Sequence, residues 1–198
     1  MDEKLLLKFD RKHCIQDEIS VARFVAMTIP IPVTLTDHRW HVNHVWVDSK
    51  HAAVSSDGGR LHRVSEFIHC GQFVPSGWYS VLKCSKTMVW LEKSEEEDSW
   101  HTFPDFKEII EGPGHRADEF LTLFLNPTDM SYIYAAIIRA MRTSYINYRY
   151  LEELCELELS VCVEIWNTNG RTDLPLRIEA RPWGDTVLTA MLMPIRGE

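Results

Sequence analysis

The sequence has few cysteines, and none of them has the spacing typical of structural cysteine sites. Its 198 residues include 5 cysteines and no C-x-x-C pair, so neither a disulfide framework nor a zinc ribbon is predicted. No apolar run approaches the roughly 18 residues of a membrane-spanning helix, and the amino terminus places an acidic pair ahead of only three leucines. We therefore expect no signal peptide, no membrane span and a reducing, cytoplasmic environment.

The motifs that identify common catalytic sites are also missing. The chain has no G-x-S-x-G, H-E-x-x-H, Walker-type or G-x-G-x-x-G pattern. The sequence therefore shows no motif for a catalytic nucleophile, a zinc-peptidase site or a nucleotide-binding site. The histidines leave a metal-dependent hydrolase, with Asp37 or Asp48 as carboxylate, as one alternative. His38, His41 and His44 are three residues apart, but such residues point to opposite faces of a strand. We predict no enzyme, no metal and no cofactor.

Positive charge is in the minority. The chain carries 21 Lys and Arg against 29 Asp and Glu, a formal net charge of −8, which argues against nucleic-acid binding through bulk charge. A local basic face is still compatible with the sequence, because helix-borne cations contact phosphates without reading bases. A solvated helix surface accounts for the same residues equally well. The candidate phosphate-contacting residues are Arg11, Lys12, Arg23, Arg139, Arg142 and Arg149.

The remaining composition is that of a folded globular protein with many strands. Hydrophobic residues make up 45% and charged residues 25%, close to the usual averages. Alternating or β-branched patterns predict strands at 41–47, 79–83, 87–92, 160–166, 174–179 and 187–193. Helical periodicity predicts helices at 18–27, 131–143 and 148–156, with Asp17 and Asn147 as caps of the first and third. The pattern predicts an α+β fold in which antiparallel sheets are backed by two or three helices.

Five short motifs follow one another along the chain in a familiar order. They are S-S-D-G-G-R-L at 55–61, F-P-D-F at 103–106, I-N-Y-R-Y-L at 146–151, L-P-L-R-I at 174–178 and M-P-I-R at 193–196. Together they resemble the bacterial DNA sliding clamp, the beta subunit of the replicative polymerase, whose chains carry A-T-D-G-H-R-L, F-P-D-Y and a terminal M-P-x-R. The likeness rests on order and spacing.

The resemblance implies a DNA-clamp-like fold and a role in DNA replication as a processivity factor. It implies that the basic residues above face double-stranded DNA. It also implies a hydrophobic pocket for polymerase and other clamp-binding peptides, lined by Ser56, Gly58, Arg60, Leu61, Met193, Pro194 and Arg196. This chain departs from the family pattern at Gly59, which replaces a histidine, and at Gly197 and Glu198, which replace a terminal leucine.

Two domain arrangements follow from the length. The chain 1–198 is a single clamp-like domain with an insertion at about 65–145, or 1–100 and 101–198 are two trimmed clamp-like domains. A six-domain ring then requires a hexamer or a trimer, respectively.

The expected function is a non-catalytic sliding-clamp-like protein that binds DNA, replication partners or both. The alternative is a monomeric clamp-fold scaffold or decoy that binds a protein partner without encircling DNA. The metal-dependent hydrolase is the third hypothesis.

Overall fold

The computed structural model of the chain divides into two compact units, Met1–Pro104 and Asp105–Glu198. The structure describes residues 4–29, 42–94, 103, 106–111, 120–124, 127–141, 146–157, 162–166 and 175–194. Among these residues, no helix has the length and apolar character that crossing a membrane requires.

Among its described residues, the first unit has one α-helix and a sheet of antiparallel strands. Its elements are β1 (Leu6–Asp10), α1 (Gln16–Ala26), β2 (Val45–Val47), β3 (Ala53–Ser56), β4 (Arg60–Val64), β5 (Ile68–His69), β6 (Gln72–Phe73), β7 (Gly77–Cys84) and β8 (Met88–Lys93). Within this unit the strands are joined in the order β1-β8-β7-β2-β3-β4. Strands β5 and β6 form a separate small hairpin.

Alternation along β1 and β8 builds one side of the core. Phe9 pairs with Val89 and Leu7 with Leu91, and all four side chains are buried. Successive residues of a strand point to opposite faces, so this pairing places one apolar row beneath α1. The helix contributes buried Phe24 and other apolar residues to the same core and contacts both strands.

The sheet supplies hydrogen-bond donors to the carboxyl end of α1. Ser55 on β3 donates its hydroxyl to the Val25 carbonyl at 2.6 Å. His62 on β4 donates Nδ1–H to the Phe24 carbonyl at 2.5 Å. Because a carbonyl only accepts, this contact fixes the neutral Nδ1–H tautomer, and the opposite ring nitrogen, Nε2, is buried without a partner in the described structure. Carbonyl groups of the last helical turn, which have no partner inside a helix, are thus satisfied by the sheet.

The backbone satisfies the two neighbouring carbonyls. Met27 donates its N–H to Arg23 at 2.9 Å, and Ile29 donates to Ala26 at 3.0 Å. The four consecutive carbonyls at the end of α1 therefore all have donors, which permits this helix end to be buried.

Among its described residues, the second unit has four antiparallel strands and three α-helices. Its elements are α2 (Phe106–Glu111), β9 (Phe120–Phe124), α3 (Met130–Met141), α4 (Tyr148–Cys155), β10 (Cys162–Trp166), β11 (Leu176–Ala180) and β12 (Leu188–Leu192). Within this unit the strand order is β12-β11-β10-β9.

The two longer helices of this unit contact each other next to a capped helix start. The side chain of Asn147 accepts the N–H of Arg149 at 3.1 Å, which confirms the predicted cap of α4. The rings of Tyr134 on α3 and Tyr148 on α4 meet edge to face at 5.5 Å. Ile146, immediately before the cap, is buried and accepts a hydrogen bond from the Tyr134 hydroxyl at 3.5 Å.

The predicted class, an α+β fold with antiparallel sheets and two or three supporting helices, is confirmed. The predicted cap at Asp17 is wrong: α1 begins at Gln16, and Asp17 lies inside its first turn. A carboxylate at this position is still stabilised by the positive end of the helix dipole. The strand β1 was not predicted. It begins within a run of three leucines, and this run hides the alternation of apolar and polar residues that follows.

His62 gives the first unit a pH dependence. Burial, followed by the positive charge of Arg60, lowers the pKa of His62 to about 3. In the unfolded chain the imidazole titrates near its ordinary value of about 6.5. The contribution of neutral His62 to the free energy of unfolding is therefore complete above about pH 6.5. It is lost as the pH falls from there toward 3, by up to about 1.4 kcal/mol per pH unit.

A His62→Gln variant keeps an N–H donor but does not titrate, so we expect its free energy of unfolding to fall less steeply between pH 7 and pH 4. Urea denaturation of both proteins across this range measures the difference. Parallel pH profiles of the two proteins would contradict the assignment.

Candidate functional site

The turn between β3 and β4 is held by the side chain of Asp57. Its Oδ1 accepts the backbone N–H groups of Gly59 and Arg60, each at 2.9 Å. Ser56 donates its hydroxyl to the Arg60 carbonyl at 2.7 Å and accepts the N–H of Gly58 at 3.1 Å. Gly58 has φ 87, a backbone conformation that favours glycine. The D-G-G-R-L sequence therefore forms one defined turn, and Ser56, Gly58, Arg60 and Leu61 are brought together on it.

Arg60 connects this turn to α1. Its side chain is 5% exposed, and its Nε donates to Asp57 Oδ2 at 3.0 Å. Its Nη2 donates to the carbonyl of Met27, the residue after α1, at 2.8 Å. A guanidinium near the negative end of a helix dipole is stabilised electrostatically, and its bonds to a carboxylate are charge-assisted. The cation positions the hairpin against the helix.

The other residues assigned to the predicted pocket belong to the second unit. Met193 follows β12 and is 43% exposed. Pro194 forms an isolated antiparallel bridge with Ile146. The M-P and I-N-Y-R-Y-L motifs, far apart in sequence, therefore meet in the structure. Arg196 lies outside the described residues.

The predicted DNA-binding residues have different surroundings. Arg11 and Lys12 are exposed in the turn after β1. Arg23 on α1 is 9% exposed, so little of its cation reaches solvent. Arg149 on α4 is exposed and paired with Glu153 at 2.9 Å.

Of the two remaining predicted DNA-binding residues, Arg139 lies on α3 and Arg142 lies outside the described residues. A common basic face formed by these residues therefore remains a prediction.

The histidine and carboxylate candidates for hydrolysis do not form a site among the described residues. His44 is buried with its ring 6.3 Å from that of Trp78. Asp48 accepts the N–H groups of Lys50 and Ala52 at 2.7 and 2.9 Å and so holds a turn. Asp37, His38 and His41 lie outside the described residues. The third hypothesis gains no support from this arrangement.

Sequence reasoning missed one cluster of chemically active side chains. Cys14, His69 and Cys70 place their ligand atoms within 4.8 Å of one another. Burial, and then the hydrogen bond with Cys70, raise the pKa of Cys14 to about 12. The two cysteines are 56 positions apart in the sequence and so gave no spacing signal; a Cys-Gly pair preceded by histidine was the sole local hint.

Comparison with known proteins adds a fold relationship. The sequence matches no protein-family model and no curated protein. Among solved structures, the whole chain superimposes on 68% of the DNA polymerase sliding clamp from Caulobacter crescentus, with 15% identity and a TM-score of 0.56.

Clamps from other bacteria give similar values. The DNA polymerase III beta chain from Streptococcus pneumoniae is matched over 100% of this chain and 66% of its own, with 10% identity and a TM-score of 0.56. The Helicobacter pylori beta clamp is matched over 100% and 68%, with 10% identity and a TM-score of 0.52. This chain thus spans about two thirds of the length of these clamps.

The resemblance predicted from the five motifs is confirmed at the level of the fold. Despite its low sequence identity to them, the chain has the α+β fold of the bacterial beta sliding clamps.

Proposed function

We propose that this chain is a non-catalytic, clamp-like replication protein of the cytoplasm that binds partner peptides and DNA. The observation that carries the proposal is the defined β3–β4 turn. The D-G-G-R-L sequence, to which the family resemblance assigns peptide binding, is held in one conformation by Asp57 and anchored by Arg60. A preformed turn binds a peptide without first paying an ordering cost.

We further propose that the two compact units are two trimmed clamp-like domains. A shared way of holding a helix end supports this. In the first unit Arg60 donates to the carbonyl that follows α1. In the second, Arg177 on β11 donates Nη1 to the Ile110 carbonyl in the last turn of α2, at 2.9 Å. Three such chains would then supply the six domains of a clamp-like ring.

Peptide binding would rest on apolar anchoring. Met193 offers an exposed, unbranched and polarizable side chain, which adapts to apolar partners. Pro194 is fixed beside it by the bridge to Ile146. In the first unit, Leu61 and the β3–β4 turn carry the other residues to which the resemblance assigns peptide binding. We propose polymerase-type peptides with aliphatic or aromatic side chains as partners.

DNA binding would rest on few cations. At a net charge of −8, retention of DNA would depend on encirclement and on local contacts with phosphates. Exposed Arg11 and Lys12, together with Arg139 and Arg142, are the proposed contacts.

A second function, a scaffold that binds a protein without DNA, is favoured by one observation. Two of the six predicted DNA contacts offer little free charge, since Arg23 is buried and Arg149 is paired with Glu153. Under this alternative the peptide-binding residues keep their role and the chain need not form a ring.

Assembly distinguishes the two functions. We expect light scattering across a concentration series to give three times the mass of one chain, because two domains per chain require three chains for a six-domain ring. A mass of one chain at high concentration would select the scaffold. A hexamer would instead support the single-domain arrangement.

Met193→Asp should weaken binding of a hydrophobic clamp-binding peptide by at least about tenfold, because a carboxylate must be desolvated in an apolar contact. Fluorescence anisotropy with a labelled peptide measures the affinity. Ile109→Asp is the matched control, since Ile109 on α2 of the same unit is 40% exposed, against 43% for Met193. Equal losses in both variants, or no loss in either, would contradict the assignment.

Arg139→Glu combined with Arg142→Glu should reduce retention on nicked circular DNA by about tenfold at low salt, because each lost phosphate contact lowers affinity and its salt dependence. The control variant, Lys50→Glu with Lys86→Glu, changes the net charge equally at exposed positions outside the proposed contacts. Similar losses in both variants would indicate bulk charge and argue against a local DNA-facing surface.

A further inference from the structure

We propose that Cys14, His69 and Cys70 form a binding site for a thiophilic divalent metal ion, with zinc as the expected occupant. Cys14 lies in the turn between β1 and α1, and His69 and Cys70 lie at the tip of the β5–β6 hairpin. None of the residues proposed above for peptide or DNA binding belongs to this cluster.

Two of the three distances between the ligand atoms match those around a tetrahedral ion, and the third is within 4.8 Å. Cys14 Sγ lies 3.6 Å from Cys70 Sγ, and Cys70 Sγ lies 3.6 Å from His69 Nε2. Zinc bonds of about 2.3 Å to sulfur and about 2.0 Å to nitrogen, at tetrahedral angles, separate two sulfurs by about 3.8 Å and sulfur from nitrogen by about 3.5 Å. The cluster therefore accepts an ion with small movements of its side chains.

The backbone at the hairpin tip supports a dedicated role for Cys70. Cys70 has φ 52 and Gly71 has φ 74, as in a two-residue turn that usually carries asparagine or aspartate before glycine. A cysteine in this region is uncommon and strained. Gly71 donates its N–H to Glu18 Oε1 on α1 at 3.0 Å, which holds the tip close to Cys14.

His69 is also oriented by its surroundings. Its ring meets the Phe9 ring edge to face, with centroids 4.7 Å apart. Its Nε2 lies 3.1 Å from the Lys8 carbonyl, and Cys70 Sγ donates to the His13 carbonyl at 3.2 Å. Without metal, these carbonyls accept the protons of the ligand groups.

The donor set determines the class of ion. Two thiolates and one imidazole suit zinc, which is borderline-soft and accepts four ligands, whereas magnesium and calcium prefer oxygen. On binding, each thiol loses its proton to solvent, and the neutral imidazole changes tautomer: Nε2 gives up its proton and binds the ion while Nδ1 takes up a proton from solvent. Two thiolate charges then balance the charge of the ion. Cys70 is exposed, so water has access to the fourth position.

A bound ion would fix the start of α1 to the β5–β6 hairpin, two elements that adjoin in space but are separated by more than fifty residues. We therefore infer a structural role for the ion in the first unit. A disulfide between the same cysteines would require an external oxidant, and the test separates the two outcomes.

The test uses the full chain, reduced and metal-free, titrated with Co²⁺ as a spectroscopic substitute for zinc. We expect saturation at one ion per chain, with visible bands of tetrahedral Co²⁺ and a sulfur-to-metal charge-transfer band. Zinc should displace the cobalt and abolish these bands. Excess zinc should also raise the midpoint of thermal unfolding by about 4 °C or more, because it binds the folded state selectively.

Variants assign the ligands. Cys14→Ser and Cys70→Ser should each reduce the charge-transfer intensity per chain by at least half, and His69→Gln should weaken cobalt affinity at least about tenfold. Cys84→Ser, which changes a cysteine of β7 outside the cluster, should bind cobalt like the parent chain.

Each of three results would overturn the proposal. The first is the absence of tetrahedral bands at stoichiometric Co²⁺. The second is an equal loss of signal in the Cys84→Ser control. The third is a parent chain that does not bind metal and whose mass, measured under reducing conditions, shows a Cys14–Cys70 disulfide.

Discussion

The carbonyl groups at the carboxyl end of α1 are the constraint on which the first unit depends. A helix end that lies against a sheet loses access to water, and each buried carbonyl without a donor would cost about 1–3 kcal/mol. Ser55 and His62 supply side-chain donors from β3 and β4, and Arg60 supplies another at Met27. This polar contact fixes the position of the helix more specifically than the apolar core around it, because hydrogen bonds depend on direction.

The second unit uses a similar contact, in which the arginine is again paired with a carboxylate. Arg177 donates to the Ile110 carbonyl at the end of α2 and pairs through Nε with Glu179 at 3.0 Å. Glu179 is buried, so its charge requires this arginine as a partner. In both units, then, an arginine on a strand links the sheet to a helix end and is itself held by a carboxylate two or three residues away.

This arrangement has a consequence for function. Arg60 belongs to the sequence that resembles the peptide-binding turn of clamps, yet its guanidinium already holds the hairpin and the helix. The role of Arg60 seen in the structure is therefore to fix the shape of the turn. The proposed metal site would add a second constraint on α1, at its amino end, where Glu18 already holds the hairpin tip.

The sequence alone determined much of the fold, since the signals concerned were local. Alternation indicated β7, β8, β11 and β12 within a few residues, and Asn147 was correctly identified as a cap because its partner is only two residues away. The order of short motifs led to the clamp fold, although no single motif was specific.

Tertiary structure decided the features that depend on residues far apart in the chain. Nothing near His62 indicates that it is neutral and bound to Phe24, 38 residues earlier, or that Pro194 pairs with Ile146. Cys14 and Cys70 carry no pattern until the hairpin tip is placed beside α1. Local sequence determines the backbone preference of a segment and which of its side chains share a face. Polar groups that are distant in the sequence pair only when the chain is packed and water is excluded.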